Sequence, residues 1–84
     1  MQETDKHNLE KLSKKIKELR IQKSNSLNNF VYNKGILTTA TWSRIENAKY
    51  NIKLSTLLKI STMLEINICE LLKDINFNYN FNDD

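Results

Sequence analysis

Proline is absent from this 84-residue chain, and glycine occurs once, at Gly35. Those residues punctuate the tight turns of sandwiches and barrels, so their scarcity argues against an all-β fold. The single cysteine, Cys69, excludes an internal disulfide and with it a disulfide-stapled scaffold. His7 is the one histidine and stands near the terminus, so there is no Cys/His metal spacing and no nucleophile with a plausible base. No glycine-rich phosphate loop is present either. A metal, a cofactor and an enzymatic activity are therefore not expected. No apolar run approaches the roughly 20 residues of a membrane-spanning helix. No signal peptide is recognisable, so a reducing, cytoplasmic setting is expected, without membrane association.

What the chain does contain is helix-forming sequence and charge. Eighty-four residues allow one domain with a single core. The net charge of +3 hides a gradient: residues 1–34 carry eight Lys/Arg against four acids, and residues 35–59 carry four against one. Residues 60–84 reverse the sign, with Lys73 against five acids. A basic region of this length suits a polyanion, and equally suits a solvated helical surface.

Leu9, Leu12, Ile16 and Leu19 recur at steps of three and four and predict an amphipathic helix over about 7–23, with residues 1–6 frayed. Ser24-Asn25-Ser26 interrupts it. A second helix is predicted over 27–34, with Phe30 and Val31 inward and Gly35 as its terminator. After the connector Ile36-Leu37, Thr38 is a candidate N-cap for a third helix reaching about residue 47. A fourth is predicted over 55–64, capped by Ser55, with Leu54, Leu57, Leu58, Ser61 and Leu64 as its stripe. Asn67 and Glu70 have the spacing of a capping box for a last helix to about Lys73, in which Cys69 reads as a small core residue. The tail from Ile75 to Asn82 alternates apolar residues with Asn. That is a strand pattern that could pair with a second chain, cover a core edge or begin a linker, although Asn-rich segments also remain disordered.

The third helix, within Thr38-Thr39-Ala40-Thr41-Trp42-Ser43-Arg44-Ile45-Glu46-Asn47, carries the functional reading. Trp42 and Ile45 stand at i and i+3 and face a core, which makes Trp42 a packing residue and not a base-stacking one. The opposite side presents short polar groups and a guanidinium, as a helix lying in a DNA major groove does. Thr39, Ala40, Ser43 and Arg44 are the candidates for base-edge contact. Thr41, Asn47, Lys49 and Lys53 flank that face and are candidates for phosphate contact. Hydroxyls at a helix start also serve as ordinary caps, as Thr38 does.

Ile16-Lys17-Glu18-Leu19-Arg20, Ser43-Arg44-Ile45-Glu46-Asn47-Ala48-Lys49 and Leu54-Ser55-Thr56-Leu57-Leu58-Lys59-Ile60 occur in order and at suitable spacing. Together they resemble the Xre family of helix-turn-helix regulators, whose fold is the all-α, five-helix lambda-repressor-like domain. Gly35-Ile36-Leu37-Thr38 ahead of Trp42-Ser43-Arg44 looks more narrowly like the DNA-binding domain of Rgg-type regulators, which continue into a peptide-sensing domain. On this resemblance residues 7–74 form the DNA-binding domain and 75–84 a tail serving as dimer contact, strand or linker. It implies double-stranded DNA as partner, a homodimer on a pseudo-palindrome, and transcriptional regulation in a bacterium or one of its mobile elements. A protein-interaction module with a retained helix-turn-helix, of antitoxin or antagonist type, is the alternative, as is the DNA-binding half of a longer regulator. The resemblance also implies an ion pair between Arg20 and Glu46 that orients the reading helix. It places Asn28 at the phosphate contact near the start of helix 2, where Leu27 stands at the position usually held by Gln. The family's glycine is Ala48 here, so an altered turn is expected after Asn47.

Overall fold

The computed structural model describes residues 3–75, and every regular element among them is a helix. These are α1 (Glu3–Lys23), α2 (Leu27–Lys34), α3 (Thr39–Glu46), α4 (Leu54–Leu64) and α5 (Ile68–Leu72). The alternating tail beyond Ile75 lies outside the described residues. The architecture is the all-α, five-helix one expected. α1 packs against each of the other four helices; α3 also leans on α2, and α5 on α4. Between them lies a core of Leu12, Ile16, Phe30, Val31, Trp42, Ile45, Ile60, Met63, Leu64 and Leu71. Ser13, also buried on α1, has a hydroxyl with no hydrogen-bond partner.

The boundaries follow from capping. Ser26 accepts a hydrogen bond from the Asn29 backbone N–H at 3.2 Å and opens α2. Thr38 does the same for Thr41 at 3.2 Å and opens α3. Gly35, at φ 69°, ends α2 with its N–H on the Val31 carbonyl at 2.7 Å, a left-handed conformation that costs glycine nothing. α1 starts four residues earlier than the apolar stripe indicates. Asp5 near its N-terminus suits the positive end of the helix dipole, so polar residues extend the helix past the core.

Four expectations fail. α4 begins one residue early, with Lys53 as its N-cap and no side-chain cap bond, so Ser55 is an exposed residue inside the first turn. The inward face of α4 is made of Thr56, Ile60, Met63 and Leu64, while Leu54 and Leu58 are 70% and 49% exposed. α4 is apolar on both sides, so its periodicity admits two stripes; packing on α1 and α5 selects the second. Cys69 is exposed, because Asn67 caps α5 so that Leu71 turns inward, and Cys69 stands about 200° around the helix from it. Glu70 accepts from Lys73 at 2.8 Å instead of reaching back to Asn67, and the Asn67 side chain accepts from the Cys69 N–H at 2.8 Å, so Asn67 is a simple cap and the capping box does not form.

A fifth expectation fails at Ala48. The turn is not altered: Ala48 takes the left-handed conformation at φ 56°. The Lys49 N–H reaches the Arg44 carbonyl at 2.8 Å and the Ala48 N–H reaches Ile45 at 3.2 Å, the paired bonds of a Schellman cap. Those bonds satisfy carbonyls that would otherwise be left open at the end of α3, which offsets the strain of a Cβ in that region. Glu65 ends α4 in the same way at φ 55°.

Candidate nucleic-acid interface

α3 is seated by one side and presents the other. Trp42 and Ile45 are fully buried, and the Trp42 ring tilts against Phe30 of α2 with centroids 4.9 Å apart. At about 100° per residue, Ala40, Ser43, Arg44 and Asn47 fall on the opposite side, with Thr39 and Thr41 on the two flanks. Ala40, Arg44 and Asn47 are exposed; Thr39, Thr41 and Ser43 are half-buried. The Asn47 amide donates to the Ser43 carbonyl at 2.8 Å and to its hydroxyl at 3.4 Å, so these two side chains form one polar plate. Thr38 donates to the Thr41 hydroxyl at 3.0 Å, which draws Thr41 into the cap and leaves its own O–H free to donate outward.

Asn28, Lys49 and Lys53 are also exposed, Asn28 in the first turn of α2 and the two lysines on the segment joining α3 to α4. None of α2, α3 and α4 has an acid in its first turn, so no carboxylate of its own first turn offsets the positive end of each helix. Among the described residues no acid pairs with Arg44, Lys49 or Lys53. Arg20, Lys15, Lys23, Lys34 and Lys73, by contrast, each pair with an acid.

Glu46 is the one acid between residues 35 and 59, and it does not reach the surface. Its side chain is 6% exposed and that of Arg20 is 7% exposed. Arg20 Nε and Nη2 donate to Oε2 and Oε1, each at 2.8 Å, in the two-pronged geometry that guanidinium and carboxylate favour. The hydrogen bond to Glu46 raises the Arg20 pKa further above its ordinary value, against the opposing pull of burial. Arg20 Nη1 donates to the carbonyls of Ser24 at 3.2 Å and Asn25 at 2.9 Å, in the turn leading to α2. The Trp42 indole Nε1–H donates to Glu46 Oε2 at 2.6 Å. Sequence reading treats Trp42 as a packing residue only; the signal for its polar role is the i,i+4 spacing to Glu46.

The charges of α1 divide differently from what the basic composition suggests. Lys11 donates to the Asp74 carbonyl at 3.1 Å and Lys15 to that of Glu70 at 2.6 Å, closing the end of α5. Two basic side chains of α1 thus tie α1 to the fifth helix.

The match to a family model now decides what this arrangement belongs to. Residues 11–76 match the Cro/C1-type helix-turn-helix DNA-binding domain. The chain belongs to that family. It is a DNA-binding transcriptional regulator, and the family's task is binding, not catalysis. Among solved structures, the restriction-modification controller protein C.AhdI from Aeromonas hydrophila is similar, with a TM-score of 0.67 and 29% identity over 79% of this chain and 94% of that one. A comparison with curated proteins gave no match. These similarities are to the wide family and to a controller protein; neither bears on the narrower Rgg-type likeness. No described helix is long and apolar enough to cross a membrane.

Proposed function

We propose that this Cro/C1-type domain reads a specific DNA sequence with α3, as a dimer on a pseudo-palindromic operator. The observation that carries the reading is the fate of Glu46. The one carboxylate between residues 35 and 59 is consumed inside the fold, so that stretch offers DNA the exposed cations Arg44, Lys49, Lys53 and Lys59 and no exposed acid. Arg44 and Ala40 face the base edges with Ser43 and Thr39 beside them. Arg44 is suited to a two-pronged bond with guanine, and Ala40 to a thymine methyl. Thr41, Asn47, Lys49, Lys53 and Asn28 hold phosphates, and their charge supplies the salt-sensitive part of affinity. A dimer sets two reading helices about 34 Å apart in successive major grooves.

The leucines left outside on α4, Leu54 and Leu58, supply apolar surface for the second copy. α5 has less to give, because Leu71 is buried and Leu72 half-buried. The same leucines would suit a helix of another protein, which keeps an interaction module as the second reading. The likeness to C.AhdI makes control of a restriction-modification locus a concrete setting for the first.

The test is Arg44→Ala. Between the duplex preferred by the wild-type protein and single-base variants of it, the substitution is expected to relax discrimination at one position by about 1–3 kcal/mol, with the fold intact. Unchanged selectivity removes Arg44 from base contact.

A further inference from the structure

The Glu46 carboxylate closes a circuit through all three helices of the reading unit. α3 supplies the carboxylate and, one turn earlier, Trp42. α2 supplies Phe30, against which the Trp42 ring lies. α1 supplies Arg20, whose remaining nitrogen holds the carbonyls of Ser24 and Asn25, immediately ahead of the Ser26 cap of α2. Each link is short, and both ends of the Arg20–Glu46 pair are withdrawn from water.

The guanidinium alone does not fix the orientation of α3. It grips a carboxylate on a flexible stem, and a two-pronged pair is preserved when that stem changes rotamer and the helix rolls. The indole removes that freedom. Trp42 is fully buried and its ring direction is set by packing, so its N–H points one way. With Oε2 accepting from both Trp42 and Arg20, the carboxylate is tied to its own helix as well as to α1. A buried indole N–H needs an acceptor wherever it sits. Here the acceptor is the group that joins the helices, so satisfying the indole also fixes their mutual roll.

We propose that Trp42 is a positioning residue for DNA recognition: through Glu46 and Arg20, its indole N–H sets the roll of α3 relative to the start of α2, and so the alignment of Arg44 and Ala40 with Asn28. The consequence for recognition rests on the DNA-reading function proposed above; the coupling between the helices does not. Trp42 itself touches no DNA.

The test replaces Trp42 in the full chain by 3-benzothienylalanine, which keeps the bicyclic shape and lacks the N–H; Trp42→Phe is the second variant, should the first fail to fold. Backbone amide NMR shifts are expected to move at Ser24–Asn28 as well as at Thr41–Asn47. Changes confined to residues 41–47 overturn the coupling. Binding is then measured to the duplex selected by wild-type protein from a random pool and to a scrambled duplex. The ratio of the two affinities is expected to fall about tenfold, equivalent to 1.4 kcal/mol, with the salt slope unchanged. An unchanged ratio overturns the role in recognition. A wild-type protein that selects no duplex refutes the DNA reading, and the amide map then decides the coupling alone.

Discussion

Removing the Glu46 carboxylate is expected to destabilise this domain severely, while removing the nearby charge of Lys53 is not. Glu46→Ala orphans three donors at once: Arg20 Nε and Nη2 and the Trp42 indole N–H. They stay in place, because Arg20 is still held by two carbonyls of the α1–α2 turn and Trp42 by the core. Breaking one side of a buried pair costs about 3–5 kcal/mol. A chain of this length has roughly 4–12 kcal/mol of stability in total. At about 4–8 °C per kcal/mol, the melting temperature drops on the order of 12–40 °C, enough to leave a large unfolded fraction at 37 °C. Lys53 is exposed at a helix N-terminus, where a positive charge is slightly unfavourable, so Lys53→Ala should shift the melt by no more than about 0.5 kcal/mol in either direction. Circular dichroism melts of the two variants make the comparison. A double-mutant cycle with Arg20→Met and Glu46→Leu then isolates the pair. The double variant should recover the part of the loss that comes from the unpaired Arg20 charge, since an apolar pair commonly replaces a buried ion pair, while the Trp42 N–H stays without its acceptor. Melting points of Glu46→Ala and Lys53→Ala within a few degrees of each other would sink the argument, as would a coupling energy near zero.

Two further perturbations test the fold's weak points. Ala48→Gly relieves a left-handed cap worth about 1–2 kcal/mol of strain and loses about 0.4–1 kcal/mol through the freer unfolded chain, so denaturant melts should show a net gain of about 0.5–1 kcal/mol. A loss would mean that the Ala48 methyl contributes packing that outweighs the strain. Glu65 bridges Lys34 of α2 and Lys23 of α1, and its bond to Lys34, ahead of the charge of Lys23, holds its pKa below the ordinary 4.5. A carboxylate lowered in this way favours the fold above its unfolded pKa and loses that contribution as pH falls through the lowered value. Melting temperature should therefore drop less steeply in Lys34→Met than in wild type between about pH 5 and pH 3, and differ little at neutral pH, where exposed pairs contribute little. Parallel acid limbs would contradict the assignment.

The parts of the fold that can be read from sequence are those where one local signal has one solution. Ser26, Gly35, Thr38 and Asn67 each close a helix end where their side chains or lack of one demand it. Leu12, Ile16, Trp42 and Ile45 each belong to a stripe with a single apolar side. α4 misleads because both of its sides are apolar, and only the surfaces of α1 and α5 choose between Leu54/Leu58 and Ile60/Met63. Cys69 misleads because a five-residue helix is too short for its phase to be read. The site divides in the same way. The outward side of α3 follows from where Trp42 and Ile45 must go. Arg20 and Glu46, 26 residues apart, can be paired beforehand only through family resemblance. The bonds of Lys11 and Lys15 to carbonyls in α5 and just beyond it have no sequence signature, since any exposed lysine on a long helix reads as free.

The most direct test of the central claim is selection of bound duplexes from a random DNA pool by the wild-type protein, followed by titration of the winner against salt. The expected result is a palindromic consensus with half-sites about one helical turn apart, and an affinity that falls with salt yet stays well above that of unselected DNA at physiological ionic strength. Recovery of no consensus, with binding that vanishes near physiological salt, would contradict it and reduce Arg44, Lys49 and Lys53 to a merely basic surface.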